Sequence, residues 1–144
     1  MRSIAPLLAC SIVYGALSSI AVAEPLTPVR FQQILATAKA YAADRTLTFY
    51  CIRDEPGMLP FNYLVIHTEI EAALGKLKAA GSEARQNAEL VEAVMANVRY
   101  PTADASDAAM DAECKSRSVK QSYFTFSGPM VMPLDKRPPF DMLK

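Results

Sequence analysis

Residues 27–51 read TPVRFQQILATAKAYAADRTLTFYC, and how far a helix runs into this stretch decides the architecture. Thr27 followed by Pro28 is a helix start. A hydroxyl caps free N–H groups, and the ring that follows lacks an N–H where none is needed. Val29, Phe31, Ile34, Leu35, Ala38, Tyr41 and Ala42 recur at helical spacing, with Arg30, Gln32, Gln33, Lys39 and Asp44 on the other side, so this is an amphipathic helix packing inward. The pattern gives out near Asp44 or Arg45. Residues 46–52 (TLTFYCI) are rich in β-branched and aromatic side chains, and two readings stand: a short strand, or the helix continuing through Cys51.

Downstream, Asp54, Glu55, Pro56 and Gly57 form a turn signal, and Pro60 restarts the chain into a second helix from about 61 to 80. Its stripe is Tyr63, Ile66, Ile70, Ala73, Leu74 and Leu77, and Gly81 stands where a left-handed C-cap is expected. Ser82 caps a third helix from 83 to about 99, with Ala84, Ala88, Val91, Val94, Met95 and Val98 as its buried face. So short a connection predicts an antiparallel pair. Pro101 stops that helix. Thr102, Asp104 and Ser106 offer caps for a fourth, reaching about 121, with Ala105, Ala108, Ala109 and Ala112 as a thin packing face. Asp104, Asp107 and Asp111 near its start and Lys115, Arg117 and Lys120 near its end suit the helix dipole.

At the other end of the chain, Arg2 precedes an apolar run from Ile4 that closes in Ala21, Val22, Ala23, the small-residue ending of a removable signal peptide. Residues 1–23 are therefore read as an export signal and residues 24–144 as a single helical domain. Leu7, Leu8, Ala9, Cys10 has the order of a lipid-attachment box, but it would cut the apolar core too early, so Cys10 leaves with the signal. Cleavage takes away only one charge, Arg2, leaving 14 basic against 15 acidic residues. That balance argues against a nucleic-acid surface or an anionic-membrane surface, and no later segment is long and apolar enough to anchor the product.

Two cysteines remain, Cys51 and Cys114. In an oxidising compartment a lone pair in a small domain is read as a disulfide. Closing so long a loop stabilises the fold by about 4 kcal/mol in the chain-entropy model. The expected fold is thus mainly α, a small four-helix domain with one disulfide. Residues 123–144 differ in kind. Tyr123, Phe124 and Phe126 are followed by Pro129, Pro133, Pro138 and Pro139, a density that excludes a helix and a central strand, so this tail is expected to be extended. Residues 123–126 are a candidate to pair with residues 46–52 as one short two-stranded β ladder.

Few residues suggest chemistry. His67 is the sole histidine, and no serine, cysteine or carboxylate motif accompanies it in sequence. Asp54 and Glu55 are adjacent acids, but neighbours in a turn usually face apart. Met130 and Met132 point the same way from an extended chain, and thioethers can hold Cu(I), with Met58 and His67 to complete a set; apolar packing is the plainer role. Phe49, Tyr50, Tyr123, Phe124 and Phe126 lack the interleaved cations that single-stranded nucleic acid needs. No cofactor and no metal is expected.

In size and plan the chain resembles small periplasmic chaperones of the acid-stress kind, although the proline-rich tail has no counterpart there and no residue role carries over. The functional expectation is a periplasmic or secreted binding module: a chaperone, inhibitor or accessory subunit with a protein partner. It would use an exposed helix face and the tail (Tyr123, Phe124, Phe126, Met130, Met132); two roles are open to that tail, a strap over the helices or a partner-binding surface, and partner binding rather than mere completion of the core is the one expected. The alternatives are an envelope-acting enzyme using Asp54, Glu55 or Glu69 with His67, and a Cu(I)-binding protein through Met130 and Met132.

Overall fold

The computed structural model describes residues 26–120 and 131–143. Helix α1 spans Pro28–Cys51 and starts as its sequence predicts, with Thr27 Oγ1 accepting from the Arg30 N–H at 3.2 Å. Its inner face is Phe31, Ile34, Ala38, Tyr41 and Ala42. Counting back from Ile34 by four puts Arg30, not Val29, on that face, and accordingly Arg30 is buried while Val29 is 71% exposed.

The strand reading of residues 46–52 is overturned, because α1 continues to Cys51 and no strand occurs among the described residues. Leu47, Thr48, Phe49, Tyr50 and Cys51 are all buried, so the last two turns are covered on every side and burial overrides β propensity. The hydroxyls that oppose a helix are satisfied within it: Thr46 Oγ1 donates to the Ala42 carbonyl at 2.9 Å and Thr48 Oγ1 to the Asp44 carbonyl at 3.1 Å. With residues 46–52 unavailable, the β pairing is not made; residues 123–126 lie outside the described residues.

After a short 3-10 turn at Pro56–Met58, α2 spans Leu59–Ala79 and buries Asn62, Ile66, Ile70, Ala73 and Leu77. Tyr63, expected inside, is 38% exposed, because Asn62 and not Tyr63 stands four before Ile66. The helix closes on Gly81 at φ 85°, with the Ser82 N–H on the Leu77 carbonyl and the Gly81 N–H on the Lys78 carbonyl, both 3.0 Å. This pair of hydrogen bonds to the last turn needs a left-handed residue at the position glycine holds.

Helix α3 spans Ala84–Met95, shorter than expected, and its N-cap is Glu83 rather than Ser82: Gln86 Oε1 reaches back to the Glu83 N–H at 2.9 Å. Its buried residues are Leu90, Ala93 and Val94, followed by Val98 beyond the helix end; Ala84 and Ala88 are exposed. Helix α3 touches α2 but rests chiefly on α1.

Helix α4 spans only Ala108–Ser116 and is capped by Asp107, whose carboxylate accepts from the Ala109 and Met110 N–H groups. None of its residues is fully buried. The expected alanine face fails, since Ala108, Ala109 and Ala112 face solvent and the helix meets α1 through Met110 and Cys114. The Cys51–Cys114 disulfide joins the two helices, with Cα atoms 5.5 Å apart.

Residues 131–143 form a strap with two short 3-10 turns, Leu134–Lys136 and Phe140–Met142, where a simply extended tail was expected. Val131, Leu134, Phe140 and Leu143 enter the same core as α1, α2 and α3. Lys76 Nζ on α2 donates to the Asp135 carbonyl at 2.6 Å, and Thr37 Oγ1 on α1 donates to the Pro138 carbonyl at 3.0 Å. Of the two roles the sequence left open, residues 131–143 take that of a strap that completes the core. Of the tail residues assigned to partner binding, Met132 is 53% exposed, and Tyr123, Phe124, Phe126 and Met130 lie outside the described residues.

Candidate functional site

Three polar or aromatic groupings stand out from the helical frame. The most buried lies where α1, α2 and the strap meet. Arg45, at 6% side-chain exposure, pairs through Nη2 with Glu69 Oε1 on α2 at 2.5 Å and donates from Nε to the Tyr41 hydroxyl at 3.1 Å. Arg137 of the strap reaches the same corner, 2.8 Å from Asp44 Oδ2, and its guanidinium lies 5.2 Å from the Tyr41 ring, as does that of Arg45. Burial raises the Tyr41 phenol far above its ordinary range, with Arg45 opposing. Burial also draws the Arg45 guanidinium down, but Tyr41 and Glu69 outweigh it and hold it charged. A group held this firmly in one protonation state ties helices together; it is poorly suited to exchange protons.

A second grouping surrounds the disulfide. The Asp107 N–H donates to the Tyr50 hydroxyl at 2.7 Å, and that hydroxyl donates to Asp111 Oδ1 at 2.9 Å. The Arg53 guanidinium stacks 3.9 Å from the Tyr50 ring and donates to the Ala105 carbonyl at 2.9 Å. Nearby, Lys120 Nζ bridges Asp54 and Glu55 at 2.7 and 2.9 Å. Its hydrogen bond holds the Asp54 carboxyl below the usual carboxylate range. A general acid needs the reverse shift.

The third grouping is open to solvent. The Tyr63 and Tyr100 rings stack at 4.6 Å between centroids, and both lean on the buried Phe49 ring, at 5.3 and 4.6 Å. Tyr63 is 38% and Tyr100 40% exposed, and on the same two turns of α2 Leu64 is 62% exposed. Large apolar side chains clustered at a surface mark contact sites more often than scattered ones do. Pattern reading misplaced Tyr63 as core and did not single out Tyr100 or Leu64. Pro60 and Leu64, four apart opposite the buried stripe, are the signal that was available.

The proposed catalytic set is not assembled: Asp54 and Glu55 share Lys120, Glu69 is committed to Arg45, and His67 is exposed on α2 two positions from Glu69, a spacing that faces side chains apart. Met132 offers its carbonyl to Arg137 Nε at 2.9 Å. Among the described residues no three His, Cys, Asp or Glu side chains gather as a metal site.

Asn62 was not anticipated. It is fully buried, and neither its Oδ1 nor its Nδ2 has a hydrogen-bond partner among the described residues. Leucine has the same number and branching of heavy atoms without the desolvation penalty, so Asn62→Leu is expected to stabilise the fold by about 1–3 kcal/mol. A urea midpoint that moves down instead would show that the amide is satisfied in solution.

Comparison of the chain with protein-family models, with curated proteins and with solved structures finds no match in any of the three.

Proposed function

We propose that the chain is an exported protein, periplasmic or secreted, that works by binding another protein through the aromatic face of α2. Export is supported by the apolar run ending in Ala21, Val22, Ala23 and by the disulfide, a bond that persists outside reducing compartments. Among the described residues no helix is long and apolar enough to cross a membrane.

The observation that carries the binding role is the half-exposed Tyr63–Tyr100 stack beside Leu64. Tyrosines supply large, rigid contact area with few rotors to immobilise, the property that concentrates binding energy at interfaces. A stack already anchored on Phe49 is ordered before a partner arrives. The candidate carboxylates, by contrast, are occupied by cations.

The test is photo-crosslinking in the native host, with a photoreactive amino acid at position 64 or, as control, at position 85 on the far side of the hairpin turn. Position 64 is expected to yield a discrete adduct that position 85 does not, and Leu64→Asp is expected to abolish co-purification of the same partner with an unchanged melting temperature. Equal labelling from both positions, or none from 64, would refute the assignment.

A further inference from the structure

We infer that α4 and the loop before it form a flap that the Cys51–Cys114 disulfide locks onto α1, and that reduction by a dithiol releases it while the rest of the molecule stays folded. Among the described residues the main core draws on α1, α2, α3, Val98 and the strap, and on none of residues 101–120. The flap meets the molecule through a second, separate cluster, in which Leu47, Cys51 and Val119 are buried against Met110 and Cys114. Helix α4 itself has nine residues and none fully buried. A helix of that length is not stable in water without a partner to pack on.

What else holds the flap is polar and largely exposed. Arg53–Asp111, Lys120–Asp54 and Lys120–Glu55 have at least one partner around half exposed, and Arg117 approaches Asp44 only to 3.8 Å. Pairs of this kind are weak and screened by salt. The Tyr50 hydroxyl and the Arg53 contact to the Ala105 carbonyl complete the attachment among the described residues. The covalent bond is thus the strongest tie across this boundary, whereas the packing of the core on the other side does not include it.

The reaction is ordinary thiol–disulfide exchange. A thiolate of the dithiol attacks Cys114 Sγ, the more accessible sulfur, since Cys114 is partly exposed and Cys51 only 6%. A mixed disulfide forms, and Cys51 Sγ leaves with the bonding pair and takes up a proton. The second thiol of the reductant, deprotonated, attacks its own bridged sulfur, so that Cys114 leaves and is protonated and the reductant becomes a disulfide. Two electrons and two protons have then passed to the protein. Release uncovers Leu47, Tyr50 and Cys51 as an apolar surface at the C-terminal end of α1.

Hydrogen exchange followed by mass spectrometry, on the purified protein with and without dithiothreitol, distinguishes this from a general stapling role. Amides of residues 101–120 are expected to lose their protection after reduction and exchange near the rate of an unfolded chain, while those of residues 31–42 and 66–77 give up only what loop closure contributes to the whole fold and stay protected. The double variant Cys51→Ser with Cys114→Ser should reproduce the reduced profile without reductant. Loss of protection throughout the chain, or unchanged protection of residues 101–120, overturns the proposal.

Discussion

Glu69→Ala is expected to lower the free energy of unfolding by about 3–5 kcal/mol, among the largest effects available to one substitution in a protein of this size. The reason is what the substitution leaves behind. The Arg45 side chain is 6% exposed, and its Nη2 loses the carboxylate that, among the described residues, compensates its charge. Water cannot replace that partner without entering the junction of α1, α2 and the strap. The Tyr41 hydroxyl continues to accept from Arg45 Nε, but a neutral acceptor does not balance a guanidinium. The double variant Arg45→Met with Glu69→Leu separates cause from consequence. It removes both charges and keeps the volume, and should recover most of the loss or exceed the parent. Urea midpoints at constant slope measure both. A single variant within about 0.5 kcal/mol of the parent would mean that the pair is solvated and holds nothing.

That pair also shows where pattern reading of the sequence stops. The start of α1, the stripe Ile66, Ile70, Ala73, Leu77 on α2, the left-handed Gly81 and the Cys51–Cys114 bond follow from spacing, caps and cysteine number, and the structure has each of them. All depend on one face being wet and the other dry. Residues 47–51 fail the method because they are dry all round, which erases the helical period and leaves only β-rich composition to read. Alanine fails it for the opposite reason. Ala84, Ala88, Ala108 and Ala112 are compatible with either side of a helix, and here they are outside, while Leu90 and Ala93 are inside. Arg45, Glu69 and Asn62 occupy the dry stripe despite their polarity. The stripe Ile34, Ala38, Tyr41 extends by one more step to Arg45, so a helix known to reach Cys51 would have exposed the need for a carboxylate opposite.

The same reasoning about which surfaces are dry makes the strap the most sensitive region outside the helices. Phe140→Ala is expected to cost about 3–5 kcal/mol, because Phe140 is fully buried in a core shared with α1, α2 and α3 and the helices cannot close over the space it leaves. Met142→Ala, two residues on and 56% exposed, should change stability by less than about 0.5 kcal/mol. The contrast controls for any general weakness of the chain end. Ending the chain at Ser122 goes further, removing Val131, Leu134, Phe140 and Leu143 together and leaving Lys76 without the Asp135 and Phe140 carbonyls it donates to. The combined loss exceeds the roughly 5–15 kcal/mol that holds an ordinary domain together, so the shortened protein is expected to show no cooperative melting transition. A truncated chain that melts at the parent temperature would mean that α1, α2 and α3 close their core unaided. The strap would then be a covering that a partner displaces, and the aromatic face of α2 would lose its claim to be the principal contact surface.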